Sequence, residues 1–182
     1  MNINKFVITG APSSGKTTII SILNKIGFTV VPEVARDIIL DRMHEGKNID
    51  ECSIDFQLAI LEGQIKREES INIQRSPIFF DRGIPDVLSY IKNLKGSQDL
   101  ITRENLLNRY DKVFFLEGLQ IEDDGIRETD PKKIQSLNEA LQDSYETLGY
   151  DLIHVPNFSN YDKSSSTALR LQLIFNHVFS YN

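Results

Sequence analysis

The chain has 182 residues, 40% of them apolar and 25% charged, which fits one soluble globular domain with a proper core. Its net charge of −6 argues against a general nucleic-acid binder, though not against a small anion held by local backbone dipoles. The single cysteine, Cys52, excludes an internal disulfide. No apolar run approaches a membrane span, and the N-terminus enters a strand pattern without room for a signal peptide, so a cytoplasmic protein is expected.

Ile3 to Thr9 is an apolar run that reads as a central strand, because it feeds directly into Gly10-Ala11-Pro12-Ser13-Ser14-Gly15-Lys16-Thr17-Thr18. An apolar-periodic helix, Ile19 to Ile26, follows and stops at Gly27 as a left-handed cap. Strand, G-x-x-x-x-G-K-T and helix together are the context that a phosphate-binding loop requires. Gly10 and Gly15 allow backbone geometry closed to other residues, so the loop N–H groups can point at phosphate oxygens. Gly10, Ser13, Ser14, Gly15, Lys16, Thr17 and Thr18 form the expected nucleotide cradle, and the helix dipole adds to the attraction. Lys16 would reach the β- and γ-phosphates and the Thr17 hydroxyl would sit on Mg²⁺, so ATP and Mg²⁺ are the expected cofactors. The plain alternative is a chance match in an ordinary loop, which the strand and helix context disfavours.

Phe28 to Val31 reads as a second strand closed by Pro32, and Glu33 opens a helix that Gly46 breaks. A longer helix is expected from about Ser53 to Gln74, with Phe56, Ala59, Ile60, Gly63 and Arg67 along one side and Lys66-Arg67-Glu68-Glu69 as a solvated face. Ile78-Phe79-Phe80 is a third strand ending in Asp81-Arg82-Gly83, and Pro85 suits the first turn of a helix running to about Leu94. After a loop at Lys95 to Gln98, Thr102 to Arg109 reads as helix and Lys112 to Leu116 as a fourth strand. Residues 118–130 are polar, acidic and glycine-containing, and read as a mobile lid over the site. Asp130-Pro131 starts a helix reaching Leu148, Asp151 to Val155 is a fifth strand, and Ser164 to Phe179 a final helix capped by its serine run. The last helix's stripe of Leu169, Leu173, Ile174 and Val178 reads as core.

Strands alternating with helices imply a parallel sheet covered on both faces, with ligands at the carboxyl ends of the strands. The chemistry-bearing residues fall at that edge: the loop after the first strand, Glu33 and Arg36 after the second, Asp81 and Arg82 after the third, Glu117 after the fourth, Asn157 and Phe158 after the fifth. Asp81 can hold the Mg²⁺ shell or act as base, against the plain reading of a helix-capping aspartate. Arg82 can meet phosphate or transition-state charge, against an ion pair with Asp81 or Glu33. Glu33 and Arg36 can hold an acceptor hydroxyl, although a first-turn glutamate also suits any helix dipole. Arg127 could be delivered by a closing lid, or be an ordinary loop arginine, with Lys132 and Lys133 weaker candidates. Asn157 could hydrogen-bond a nucleobase stacked on Phe158, against the plain reading of Phe158 as core packing. His44, His154 and His177 share no metal-ligand spacing.

The order F-V-I-T-G-A-P-S-S-G-K-T-T, V-V-P-E-V-A-R-D-I-I, F-Q-L-A-I-L-E, I-F-F-D-R-G-I-P-D-V-L-S-Y and L-G-Y-D-L-I-H-V-P resembles the small AAA-type ATPase family of P-loop proteins. That family is similar to the ribosylnicotinamide kinase domain of bifunctional NAD-biosynthesis regulators, and more distantly to thymidylate and deoxynucleoside kinases. The P-E-x-A-R and F-F-D-R-G-x-P-D blocks discriminate, since the phosphate loop is generic. The resemblance implies a three-layer α/β/α P-loop kinase fold with five parallel strands in the order 2-3-1-4-5. It also implies Asp81 with Arg82 as the D-R pair, Glu33 as the acidic residue near the acceptor, and Arg127 as the lid arginine, in a segment more acidic than most kinase lids.

Two functions compete. One is a small-molecule kinase passing the γ-phosphate of ATP to a nucleoside-like hydroxyl, and the other is a regulatory ATPase that hydrolyses slowly and acts on a protein partner. A GTPase lacks its N/T-K-x-D segment after the fourth strand, and a helical AAA+ motor domain does not fit after Val155. Nucleotide and acceptor are the expected partners, with neither nucleic acid nor membrane. Acceptor identity and oligomeric state stay open.

Overall fold

The computed structural model describes residues 4–47, 50, 53–71, 77–91, 109–119 and 130–179. Five strands, β1 (Lys5–Thr9), β2 (Thr29–Val31), β3 (Ile78–Asp81), β4 (Lys112–Leu116) and β5 (Leu152–Val155), form one sheet. All pairings are parallel, in the order β2-β3-β1-β4-β5. Among the described residues six helices flank them, α2 and α3 both lying between β2 and β3 in sequence: α1 (Lys16–Lys25), α2 (Val34–His44), α3 (Ile54–Glu69), α4 (Ile84–Ile91), α5 (Pro131–Thr147) and α6 (Lys163–Val178). This is the P-loop kinase fold the sequence implied.

The strands are apolar almost end to end because helices cover both faces. Alternate residues of β1 divide between two cores, as the two-residue strand period demands. Phe6 and Ile8 pack with Phe79, Phe114, Ile19, Leu23 and Ile174 under α1 and α6. Val7 packs on the other face with Ile78, Phe80, Val113 and Tyr145 of α5. A third cluster, built on Phe56, Ile60, Ile84, Val87 and Leu148, joins α3, α4 and the end of α5. Register sets the edge used below: Ile8 faces Asp81 of β3 and Phe114 of β4, so the ends of three strands lie side by side.

Several boundaries differ from expectation for local reasons. Phe28 is outside β2 because its N–H is spent on the end of α1, donating to Leu23 O at 3.1 Å across the left-handed Gly27 (φ 96°). Helix α1 begins at Lys16 instead of Ile19, since Gly15 itself is the N-cap. The cap of α6 is Asp162 and not the serine run: Oδ1 accepts from Ser164 N and Ser165 N at 3.0 and 3.1 Å. Asp130 caps α5 as expected, accepting from Lys132 N at 3.0 Å. The long helix stops at Glu69, with Ser70 as its C-cap donating its N–H to Lys66 O, short of the expected Gln74. The expected end of the next helix at 92–94, the loop at 95–98, the helix expected from 102, most of the 118–130 segment with Arg127, and Cys52 lie outside the described residues.

Candidate functional site

The loop after β1 turns through positive φ at Gly10 (140°), Ser13 (63°) and Gly15 (85°). A Cβ on Gly10 would lie 2.5 Å from Leu116 O, so the loop can pass against β4 only as glycine. Lys16 folds back over this loop, and its Nζ donates to Gly10 O at 2.8 Å, Ala11 O at 2.9 Å and Ser14 Oγ at 3.2 Å. Burial lowers the Lys16 pKa to about 7, with the Arg82 charge acting the same way and Asp86, Asp81 and Glu33 opposing. Thr17 and Thr18 stay exposed on the first turn of α1. Ser13 Oγ is buried without a hydrogen-bond partner, which is unusual for a hydroxyl in a folded chain.

Strand β3 delivers Asp81 and Arg82 to the same edge. Desolvation raises the Asp81 pKa to about 6, with Glu33 adding to it and Arg82 and Lys16 opposing. Arg82 holds a left-handed backbone (φ 72°), an uncommon state for a residue with a side chain. Its Nε donates to Glu33 Oε1 at 2.7 Å and its Nη1 to Asp86 Oδ1 at 3.0 Å. Burial works to lower the pKa of Arg82, but Asp86 and Glu33 outweigh it and keep the guanidinium charged.

Two buried carboxylates hold that turn in place. Asp86, 1% exposed, accepts from Thr9 Oγ1 at 2.6 Å, from Gly83 N at 2.9 Å, from Arg82 and from the Tyr145 hydroxyl. Glu68 accepts from Gln64 Nε2 at 3.0 Å, from Arg109 Nη1 at 3.2 Å and from the Tyr110 hydroxyl. Tyr110 in turn accepts from Ile84 N at 2.9 Å. Burial, then the neighbouring carboxylate, pushes both tyrosine pKa values far above the usual range, so both hydroxyls remain donors. Gly83 sits between them, and a Cβ there would come 2.8 Å from Tyr145 Oη and 3.0 Å from the Tyr110 ring.

Beside this network lies a cavity of about 490 Å³. Pro12 of the loop borders it, Glu33, Arg36, Arg82, Asp86, Gln57, Gln64 and Tyr90 give it polar groups, and Ile39, Phe56, Ile60 and Val87 line the rest. A few convergent polar groups in an apolar concavity of this size suit a small organic ligand.

The fold thus brings together the loop, Glu33, Arg36, Asp81 and Arg82. Arg82 does pair with Glu33, as the plain reading had it, and pairs also with Asp86. Asn157 lies at the edge, but its amide serves the loops: Nδ2 donates to Gly118 O at 3.1 Å and Oδ1 accepts from Ser159 N at 3.0 Å. Phe158 is half-buried with its ring 6.5 Å from that of Tyr161. Lys132 and Lys133 are exposed. No metal-binding group of three His, Cys, Asp or Glu side chains occurs among the described residues.

Of the expected solvated face at Lys66 to Glu69, Lys66 and Glu69 are exposed, but Glu68 is not. Glu68 is 4% exposed, because it falls a helical turn beyond Gln64 on the stripe begun by Phe56 and Ile60. Arg67 pairs with Asp37 at 2.6 Å. Sequence reasoning also left Asp86, Tyr110, Tyr145 and Arg170 without roles. The available signal was a charged residue on an apolar helical stripe: Asp86 beside Val87, and Arg170 one turn before Ile174.

Fold, phosphate loop and adjoining cavity together define a P-loop protein of the kinase-like type. The chain belongs to the AAA domain family, matched over residues 5–162. No curated protein matches it in sequence. Among solved structures it is similar to a thymidylate kinase from Ehrlichia chaffeensis (14% identity, TM-score 0.66, 96% of this chain and 98% of that one). It is similar also to a deoxyadenosine kinase from M. mycoides (17%, 0.64, 97% and 100%). The NadR protein in complex with NR aligns with a TM-score of 0.73 at 18% identity, over 99% of this chain and 52% of that chain. At these identities the likeness concerns the fold. Among the described residues, no helix is long and apolar enough to cross a membrane.

Proposed function

We propose that the chain is a phosphotransferase that binds ATP in the loop and passes its γ-phosphate to a hydroxyl on a nucleoside-sized acceptor in the cavity. The observation that carries this reading is adjacency: the cavity is bordered by Pro12 of the loop and floored by Glu33, Arg82 and Asp86. The residues present also fit a triphosphate and its Mg²⁺. The exposed Thr17 hydroxyl and the desolvated Asp81 carboxylate would hold the ion, and the orphaned Ser13 Oγ offers a further donor. When bound, the ion supplies charge neutralisation between the β- and γ-phosphates.

The loop N–H groups and Lys16 hold the phosphates and stabilise charge that builds on them. Glu33 accepts the acceptor's hydroxyl proton. The acceptor oxygen bonds to the γ-phosphorus as the bond to the β,γ-bridging oxygen breaks, and ADP leaves. Arg82, kept charged by Asp86, faces the developing negative charge, and Arg127 is the lid residue that would join it. Arg36 orients the acceptor, and Asn157 shapes the base end of the nucleotide site through its loop.

ADP release from MgATP, measured with and without nucleosides, nucleoside monophosphates and nicotinamide riboside, tests this reading. One acceptor that stimulates release and gains the mass of a phosphate names the substrate. A slow rate that none of them changes would replace the kinase by a regulatory ATPase with a protein partner.

A further inference from the structure

Arg170 lies on the inner stripe of α6 with Ser166 and Ile174 and is 2% exposed. Arginine is seldom buried so fully without a carboxylate at hydrogen-bond distance. Among the described residues, its hydrogen bonds run to backbone carbonyls alone: Nη1 to Ser14 O at 2.6 Å, Nη2 to Glu117 O at 2.8 Å and Nε to Pro156 O at 2.8 Å. Those carbonyls belong to three loops, after β1, β4 and β5. Other bonds link the same loops pairwise: Leu119 N donates to Ser13 O at 3.2 Å, and Asn157 Nδ2 to Gly118 O. Arg170 touches all three.

Ser14 O and the Gly15 N–H are the two ends of one peptide unit. A charged donor on the carbonyl polarises the unit, so the N–H at its far end becomes a stronger donor. The guanidinium is close against the loop, since a Cβ on Gly15 would come 3.2 Å from Nη1. An apolar side chain of similar size would fill the space but leave the Ser14, Glu117 and Pro156 carbonyls without this donor.

We propose that Arg170 is a positioning residue for nucleotide binding, which fixes the three loops as one rigid edge and polarises the Ser14–Gly15 peptide toward a bound phosphate. The inference rests on the reading of this loop as a nucleotide site. Calorimetric titration of the full chain with MgATPγS compares wild type, R170M, R170K and I174A, the last removing core packing on the same helix away from the loops. R170M is expected to bind about tenfold more weakly or worse, the loss of charge-assisted hydrogen bonds. R170K, which keeps the charge without the three-way fork, falls between. I174A melts at a lower temperature yet binds like wild type. Arg170 variants that bind like wild type while folded would overturn the inference alone, and if R170M does not fold, R170K decides. A wild type that binds neither MgATPγS nor MgGTPγS removes the nucleotide reading itself, and the inference with it.

Discussion

Five charged side chains, Lys16, Glu33, Asp81, Arg82 and Asp86, share one partly dry edge, and each affects its neighbours' charge state. Lys16→Ala is expected to abolish nucleotide binding or turnover, checked by calorimetry and ADP release. Asp81→Asn should leave binding in place and cut the rate, and an unchanged rate would remove its assignment to metal or base. Asp86→Asn substitutes an amide for a carboxylate that faces four donors and leaves Arg82 with Glu33 alone. Breaking a buried pair of this kind costs about 3–5 kcal/mol, so a large fall in the urea midpoint is expected. A midpoint within error of wild type would show that Asp86 is not the anchor of Arg82. The importance of Asp86 was only half legible in the chain: it belongs to the discriminating F-F-D-R-G-x-P-D block, but its partners Thr9 and Tyr145 lie 77 and 59 residues away.

At the scale of elements, α2 carries Glu33 at its cap and Arg36 in its first turn, and it is seated by close packing on α3. A Cβ on Gly63 of α3 would come 2.7 Å from Val34 Cγ1. Alanine gains up to about 1 kcal/mol of helix propensity over glycine, but Val34 is 4% exposed and β-branched, so it cannot swing aside. Overpacking costs roughly 1–3 kcal/mol and should win. Gly63→Ala is therefore expected to lower Tm and to weaken acceptor stimulation more than nucleotide binding. Equal or higher stability would mean that the two helices can separate freely. Strands and helices were legible in order because buried parallel strands and amphipathic helices leave distinct patterns in the chain. Their ends were less so, since Phe28 N and the Asp162 cap are set by hydrogen bonds to neighbours.

For the molecule as a whole, a ligand that binds only the folded state raises its stability. MgATP at about a hundred times its dissociation constant should add about 2.7 kcal/mol, roughly 5–10 °C in Tm for a chain of this length. A melting curve that MgATP leaves unmoved, beside a Lys16→Ala variant that melts in the same place, would count against nucleotide binding.

The sequence by itself determined the strand–loop–helix cradle, the alternation that yields a five-stranded parallel sheet, and the strand-end positions of Glu33, Asp81 and Arg82. These are local matters, set by glycine geometry and by the periods of apolar residues along a few turns or strands. Only the tertiary structure decided that Arg82 is held between Glu33 and Asp86, that Glu68 and Arg170 are buried, and that an apolar cavity opens beside the loop. Those facts depend on which distant segments meet, and whether a charged side chain is solvated or buried is settled by the partner the fold brings to it.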